Sequence, residues 1–255
     1  MVELKTRGEL EAMREAGRVV AQALAAVREQ AAVGVTPLEL DAVAHEVIRG
    51  AGATSPFLNY RPHFAMTPFP AVICASVNSA ALHGIPDDYR LADGDLLSVD
   101  CGATLDGWTG DAAISFSVGT ARPSDTRLIE SAFSALSAGI AAAVPAGRLG
   151  DISAAVGRVG RAAGVGISGD FGGHGVGRSM HEEPHVPNEG RAGRGLRLRP
   201  GLVLAIEPWF LAGGKDEYVI DEDGWTVRSA DGSRAAHVEH TVAITADGPW
   251  VLTEL

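Results

Sequence analysis

Cysteine is almost missing from this chain: Cys74 and Cys101 are the only two in 255 residues. They offer neither a disulfide framework nor the spacing of a zinc site, so both are expected to be buried small apolar residues in a reducing compartment. Long apolar runs are missing too. The longest, Ala132 to Val144, is interrupted by Ser and Gly and is shorter than the ~20 residues a membrane span requires. The first ten residues, MVELKTRGEL, mix charges of both signs without an apolar stretch, so no signal peptide is expected and the protein reads as cytoplasmic. Basic residues are in short supply, with 21 Lys and Arg against 32 Asp and Glu and a net charge of −11. That balance repels nucleic-acid phosphates. The basic run Arg191, Arg194, Arg197 and Arg199 is interspersed with glycine and reads as a solvated loop face. Neither nucleic acid nor a membrane is an expected partner.

The length does permit one large domain, 1–255, that buries roughly 70–75% of its unfolded surface without disulfides or structural metals. Thr6 and Glu9 form a capping box, and Leu10, Met13, Val20, Leu24 and Val27 then recur at helical spacing to about Gln30. Thr36-Pro37-Leu38-Glu39 repeats the cap with proline at the first helical position, and predicts a second helix to Gly50 or Gly52. A second pair echoes the first: one helix opens at Ser124 and stops before Pro145, and another carries Ile152, Val156 and Val159 to Gly164. Ala31-Ala32-Val33, Leu38 and Ala51-Gly52 recur in the second half as Ala142-Ala143-Val144, Leu149 and Ala163-Gly164. Two related halves, about 1–120 and 121–255, are therefore expected, with a ligand site between them.

Each helix pair is followed by two acids in strand-like surroundings. Asp100 and Asp111 lie in segments that flank Asp106-Gly107, a hairpin turn signal. With those two residues as the turn, Asp100 faces Ala113 and is diagonal to Asp111, about 7–8 Å away at the backbone. Glu207 ends the apolar run Gly201 to Pro208, and Glu239 sits in a strand predicted from His237 to Ile244. With His174 in a glycine-rich stretch, these acids make a set of four carboxylates and one imidazole. Unpaired carboxylates are rarely buried, and four in one interior repel one another unless divalent cations neutralise them. Taken singly, Asp100 or Asp111 reads as an ordinary turn or capping acid. Together they predict a dinuclear metal site, and oxygen-rich ligation with one imidazole suits Mn, Fe(II), Co or Zn.

The segments Leu82-His83-Gly84-Ile85-Pro86, Val99-Asp100 through Gly110-Asp111, Gly173-His174-Gly175-Val176-Gly177, His181-Glu182-Glu183-Pro184, Ile206-Glu207-Pro208, Asp223-Gly224-Trp225-Thr226-Val227 and Glu239-His240-Thr241 occur in the order and spacing of a known family. Over essentially its whole length the chain resembles the methionine aminopeptidases of the short bacterial type I form. The interval from His174 to Glu207 leaves no room for the insertion of the type II form. The resemblance implies an α+β pita-bread fold, two pseudo-symmetric αβ halves around a curved antiparallel sheet. It implies two divalent metal ions: Asp100 chelates one, Asp111 and Glu239 bridge both, and His174 with Glu207 complete the other. It further implies attack of a metal-bridging hydroxide on the first peptide bond, with Glu207 assisting proton transfer and His83 and His181 contacting the substrate.

By the same resemblance, Phe69, Cys74, Met180 and Trp225 form the methionine pocket, with Met66 at its rim. Thr67-Pro68-Phe69-Pro70, Asn78-Ser79, Leu82 and Met180 depart from the usual family pattern. The departures spare every ligand and bear on pocket shape and substrate range. The implied partner is the N-terminal methionine of nascent chains with a small second residue. Ribosome contact is at most transient, because no docking extension precedes the first helix, and a monomer is expected. His63, His185, His237 and His240 receive no chemistry and are read as structural; His240, adjacent to Glu239 on a strand, faces away. Two other readings remain. An X-Pro aminopeptidase or dipeptidase shares the fold and similar ligands but usually carries a further N-terminal domain, and a metal-free binding module would have lost ligands. Asp100→Ala and Glu239→Ala are expected to abolish turnover, whereas His185→Ala is expected to change kcat by less than about threefold; comparable losses at His185 would overturn the ligand assignment.

Overall fold

A computed structural model describes residues 2–62 and 65–255. The first helix, α1 (Arg7–Gln30), starts where Thr6 N–H donates to the Glu9 carboxylate at 2.7 Å. The second, α2 (Pro37–Gly50), has the reciprocal box: Thr36 N–H donates to Glu39 at 2.7 Å, and Glu39 N–H donates to Thr36 Oγ1 at 3.2 Å. Next come β1 (Ile73–Val77), β2 (Ala80–Leu82), β3 (Leu96–Leu105) and β4 (Trp108–Ser117). The second helix pair is α3 (Pro123–Ala142) and α4 (Leu149–Ala163). The remaining strands are β5 (Gly172–Gly175), β6 (Glu182–Pro187), β7 (Val203–Ile206), β8 (Trp209–Leu211), β9 (Tyr218–Ile220), β10 (Val227–Ser229), β11 (Ala235–His237), β12 (Glu239–Thr245) and β13 (Gly248–Val251). Among the described residues no helix is long and apolar enough to cross a membrane.

Eight strands form one antiparallel sheet in the order β1-β3-β4-β12-β7-β5-β6, with β13 also on β12. Strand alternation assigns its two faces different work. On β3 and β4, Leu97, Val99, Cys101, Ala112 and Phe116 pack with Val20, Leu24 and Leu40 of the first helix pair. On β7 and β12, Leu204, Ile206, Val242 and Ile244 pack with Leu128, Leu136, Ile152 and Val156 of the second pair. Both cysteines are buried free thiols. Each helix pair thus has its own apolar cluster, and a third, with Leu10, Met13, Trp108, Val176 and Leu252, lies apart from both. His240 sits at the alternate position to Glu239, with Nδ1 2.8 Å from Thr253 Oγ1.

The β3–β4 turn has the register that the sequence predicts. Asp106 and Gly107 both take positive φ, 51° and 75°, as a two-residue hairpin with native twist demands, and Asp100 pairs with Ala113 while Gly102 pairs with Asp111. Two expectations need correction. α3 begins at Pro123, not Ser124, because Ser124 Oγ turns to Asp125 at 3.2 Å rather than capping the helix. The single strand predicted from His237 to Ile244 is two strands: β11 pairs with β8, β12 pairs with β4 and β7, and Val238 between them donates to the Pro208 carbonyl at 3.1 Å. The chain changes sheets at Val238. Replacing Gly107 with Val forces a β-branched residue into positive φ, and is expected to cost about 1–3 kcal/mol of stability in chemical denaturation.

Candidate metal centre

Cys74, Asp100, Ala113 and Glu239 are successive Cα partners across β1, β3, β4 and β12. The small Ala113 side chain lies between two acids, and Asp111 stands two residues away on the same face. Thr241 fixes that neighbourhood: its Oγ1 accepts from Asp111 N–H at 2.9 Å and donates to the Asp111 carbonyl at 2.7 Å. His174 comes from β5, where a Cβ on Gly173 would lie 2.1 Å from the Ala205 carbonyl oxygen; only glycine permits this approach of β5 to β7. His174 Nδ1 is 3.0 Å from the Gly175 carbonyl, a tie that leaves Nε2 free to meet a cation. Nε2 lies 3.6 Å from Glu207 Oε1 and 3.9 Å from Asp111 Oδ2. Glu207 follows β7, and its carbonyl accepts from Asn188 Nδ2 at 3.1 Å.

The structure therefore brings together all five acids and imidazoles predicted as ligands. Asp100 Oδ1, Asp111 Oδ1 and Glu239 Oε1 are buried without a hydrogen-bond partner. Asp111, His174 and Glu239 present ligand atoms within 4.8 Å of one another, as do Glu207, His237 and Glu239. Orphaned oxygens in two such groups fit divalent cations, since buried charges are tolerated when paired or coordinated. Burial, then the charges of Asp111, Glu207 and Asp100, drives Glu239 well above the usual carboxylate range, and burial with the Asp100 charge does the same to Asp111. Asp100 is pushed up to about 7, chiefly by burial. At Glu207 burial again pushes upward, but the polar contact from His237 and the His174 charge outweigh it and hold the group at about 2.

Beside the acids opens a cavity of about 460 Å³ lined by Phe69, Cys74, Met180 and Trp225, with His83 and His181 on its wall. Met66 is not part of it: its side chain is 84% exposed and outside the lining. The loop turns Met66 outward while the neighbouring Thr67 carbonyl accepts from Trp225 Nε1 at 3.1 Å. Burial lowers His83 to about 4; burial and the adjacent His174 lower His181 to about 3. The His181 ring lies 4.2 Å from that of His174, and its Nδ1 is 3.0 Å from Tyr60 Oη. Tyr60, Phe57 and Phe171 also line the cavity; an aromatic in a proline-rich loop was the available signal for Tyr60. His185 is on the wall but exposed, and His63 lies outside the described residues. His237, read from the sequence as structural, lies against the acids. It is 2% exposed, with Nε2 3.4 Å from Glu207 Oε2 and 3.9 Å from Glu239 Oε2, and its two-residue spacing from Glu239 was the sign of a shared face.

Residues 11–246 match the model of metallopeptidase family M24. The chain is 51% identical over 260 residues to a protein named methionine aminopeptidase 1 from Mycobacterium tuberculosis, covering 99% of this chain and 95% of that one. Its structure is similar to the crystal structure of methionine aminopeptidase from Thermotoga maritima, with a TM-score of 0.95, 37% identity and full coverage of both chains. The prolidase from Pyrococcus furiosus shares the fold at a TM-score of 0.77 and 22% identity, and this chain covers 65% of it.

Asp100, Asp111 and Glu239 have folded pKa values above their unfolded ones. Without metal they contribute stability that is fully present below about pH 4 and is lost as pH rises through their folded values, about 7 for Asp100. Added Mn(II) is accordingly expected to raise Tm more at about pH 8 than at about pH 5. A rise in Tm that does not depend on pH would contradict the raised carboxylate values.

Proposed function

Because the chain belongs to metallopeptidase family M24, among its methionine aminopeptidases, we propose that this site removes the N-terminal methionine from polypeptides by metal-dependent hydrolysis of the first peptide bond. The observation that carries the reading is the juxtaposition of the orphaned carboxylates with a pocket lined in part by apolar and sulfur-bearing side chains. Asp100, Asp111, His174, Glu207 and Glu239 would hold two divalent cations. When bound, such ions polarise the scissile carbonyl and lower the pKa of a shared water.

The chain's own residues supply the rest. Phe69 and Trp225, edge to face at 5.2 Å between centroids, with Cys74 and Met180, surround an unbranched thioether with polarisable contacts. His83, held edge-on to Phe171 and Trp225, and His181, held by Tyr60, border the ligands and are neutral at pH 7. They can thus donate to the substrate carbonyl or amide without repelling its α-amino group. Glu207 can accept a proton during attack and return it to the leaving amine. The free α-amino group of the substrate would approach the cation held by Asp100, which makes the reaction an exopeptidase one. Action in the cytoplasm on nascent chains, as a monomer in no more than transient contact with the ribosome, belongs to the same proposal.

Metal-stripped protein reconstituted with Mn or Co is expected to release methionine from Met-Ala-Ser and to leave Ala-Pro-Ala intact. Cleavage only before proline would assign the X-Pro activity, and cleavage of neither would favour a binding module. His181→Ala is expected to lower kcat by about 10²–10³ if its imidazole stabilises the oxyanion, measured by single-turnover release of methionine.

A further inference from the structure

His237 ends β11, and β12 starts at Glu239 after the break at Val238, so the imidazole and the carboxylate both reach the site. Its main chain is clamped from the opposite strands. Ser98 and Ser115 face each other on β3 and β4, both buried, with hydroxyls 2.7 Å apart. Ser115 Oγ donates to the His237 carbonyl at 2.7 Å and accepts from its N–H at 2.9 Å; Ser98 Oγ is a further acceptor at 3.3 Å. With the Ser115 hydrogen committed to the carbonyl, Ser98 must supply the one between the two hydroxyls. The strands that carry Asp100 and Asp111 therefore also fix where His237 begins.

Two imidazoles then address Glu207, one per oxygen: His174 Nε2 at 3.6 Å from Oε1 and His237 Nε2 at 3.4 Å from Oε2. They differ in one respect. His174 has Nδ1 tied to a carbonyl, the arrangement that prepares Nε2 as a ligand. Among the described residues His237 has no such tie, and its buried Nε2 has no aligned partner. With its proton on Nε2 the ring would turn the positive end of its N–H bond toward Glu207 Oε2 at 3.4 Å, an electrostatic contact outside hydrogen-bond alignment as it stands.

We propose that His237 is a positioning residue of the metal centre, holding Oε2 of Glu207 through Nε2–H so that Oε1 is presented to the cation beside His174. This rests on the reading of the site as a metal centre. A direct metal–His237 bond is the competing arrangement, and the two respond differently to substitution. An amide at position 237 can still donate to the carboxylate, whereas as a ligand it would offer oxygen in place of nitrogen and alter the Co(II) spectrum.

The test is calorimetric titration of the metal-stripped full-length chain with Mn(II), together with visible spectra of the Co(II) form. His237→Ala is expected to weaken one ion by about 10- to 100-fold without a matching fall in the thermal stability of the metal-free protein. His237→Gln is expected to stay within about threefold of the parent with an unchanged Co(II) spectrum, and Ser115→Ala, which loosens the clamp but keeps the imidazole, to fall between. If His237→Ala fails to fold, the Gln and Ser115 variants carry the test. Parent-like affinity in both alanine variants would overturn the proposal. So would weak binding with an altered spectrum in His237→Gln, which would identify a ligand instead. A parent protein that binds no Mn(II) would sink the metal-centre reading itself, and this proposal with it.

Discussion

Mutual repulsion among Asp100, Asp111, Glu207 and Glu239 is the constraint around which the rest of the molecule is arranged. Like charges in a low-dielectric interior cannot all stay ionised without a counter-charge, and burial first, with the neighbouring carboxylates adding to it, raises Asp100, Asp111 and Glu239. Among the described residues no arginine or lysine pairs with these acids. The protein builds small and hydroxyl groups around the acids instead: Ala113 between two of them, Thr241 on the Asp111 backbone, and Ser98 with Ser115 behind. This leaves the space and the unpaired oxygens that a small hard cation needs.

The same economy of charge extends into the pocket. His83 and His181 have pKa values of about 4 and about 3, so near neutrality neither adds positive charge beside the ligands. Phe171, Trp225 and Tyr60 support these two rings, and packing rather than salt bridges therefore sets where they point. Lys5, buried, pairs with Glu182 next to His181 at 2.8 Å, so this lysine is spent on structure.

Much of this was legible in the sequence because it is local. Capping boxes at Thr6 and Thr36, the Asp106-Gly107 turn and the two-residue alternation along β3 and β4 are set by neighbours in the chain, and the diagonal placement of Asp100 and Asp111 follows from the turn alone. What was not legible depends on contacts distant in sequence. The break at Val238 exists because β11 and β12 pair with different strands, and the approach of His237 to Glu207 joins residues far apart in the chain. Met66 has the right chemistry for a thioether pocket, but its loop faces it outward once Thr67 engages Trp225. Tyr60 acquires meaning only from the approach of His181 across the fold.

The near absence of cysteine and the division of the apolar interior into separate clusters now bear on each other. Asp100 and Asp111 ride on strands packed by the first helix pair, Glu207 follows a strand packed by the second, and Glu239 opens the strand between them. A cation shared among them is a cross-link between remote stretches of chain, and it closes long loops that the unfolded polymer would otherwise explore freely. The entropic cost of such closure grows only slowly with loop length, and the same logic governs disulfides. Coordination can therefore do here the conformational work of a covalent bridge, with the difference that the link is removed by a chelator instead of a reductant.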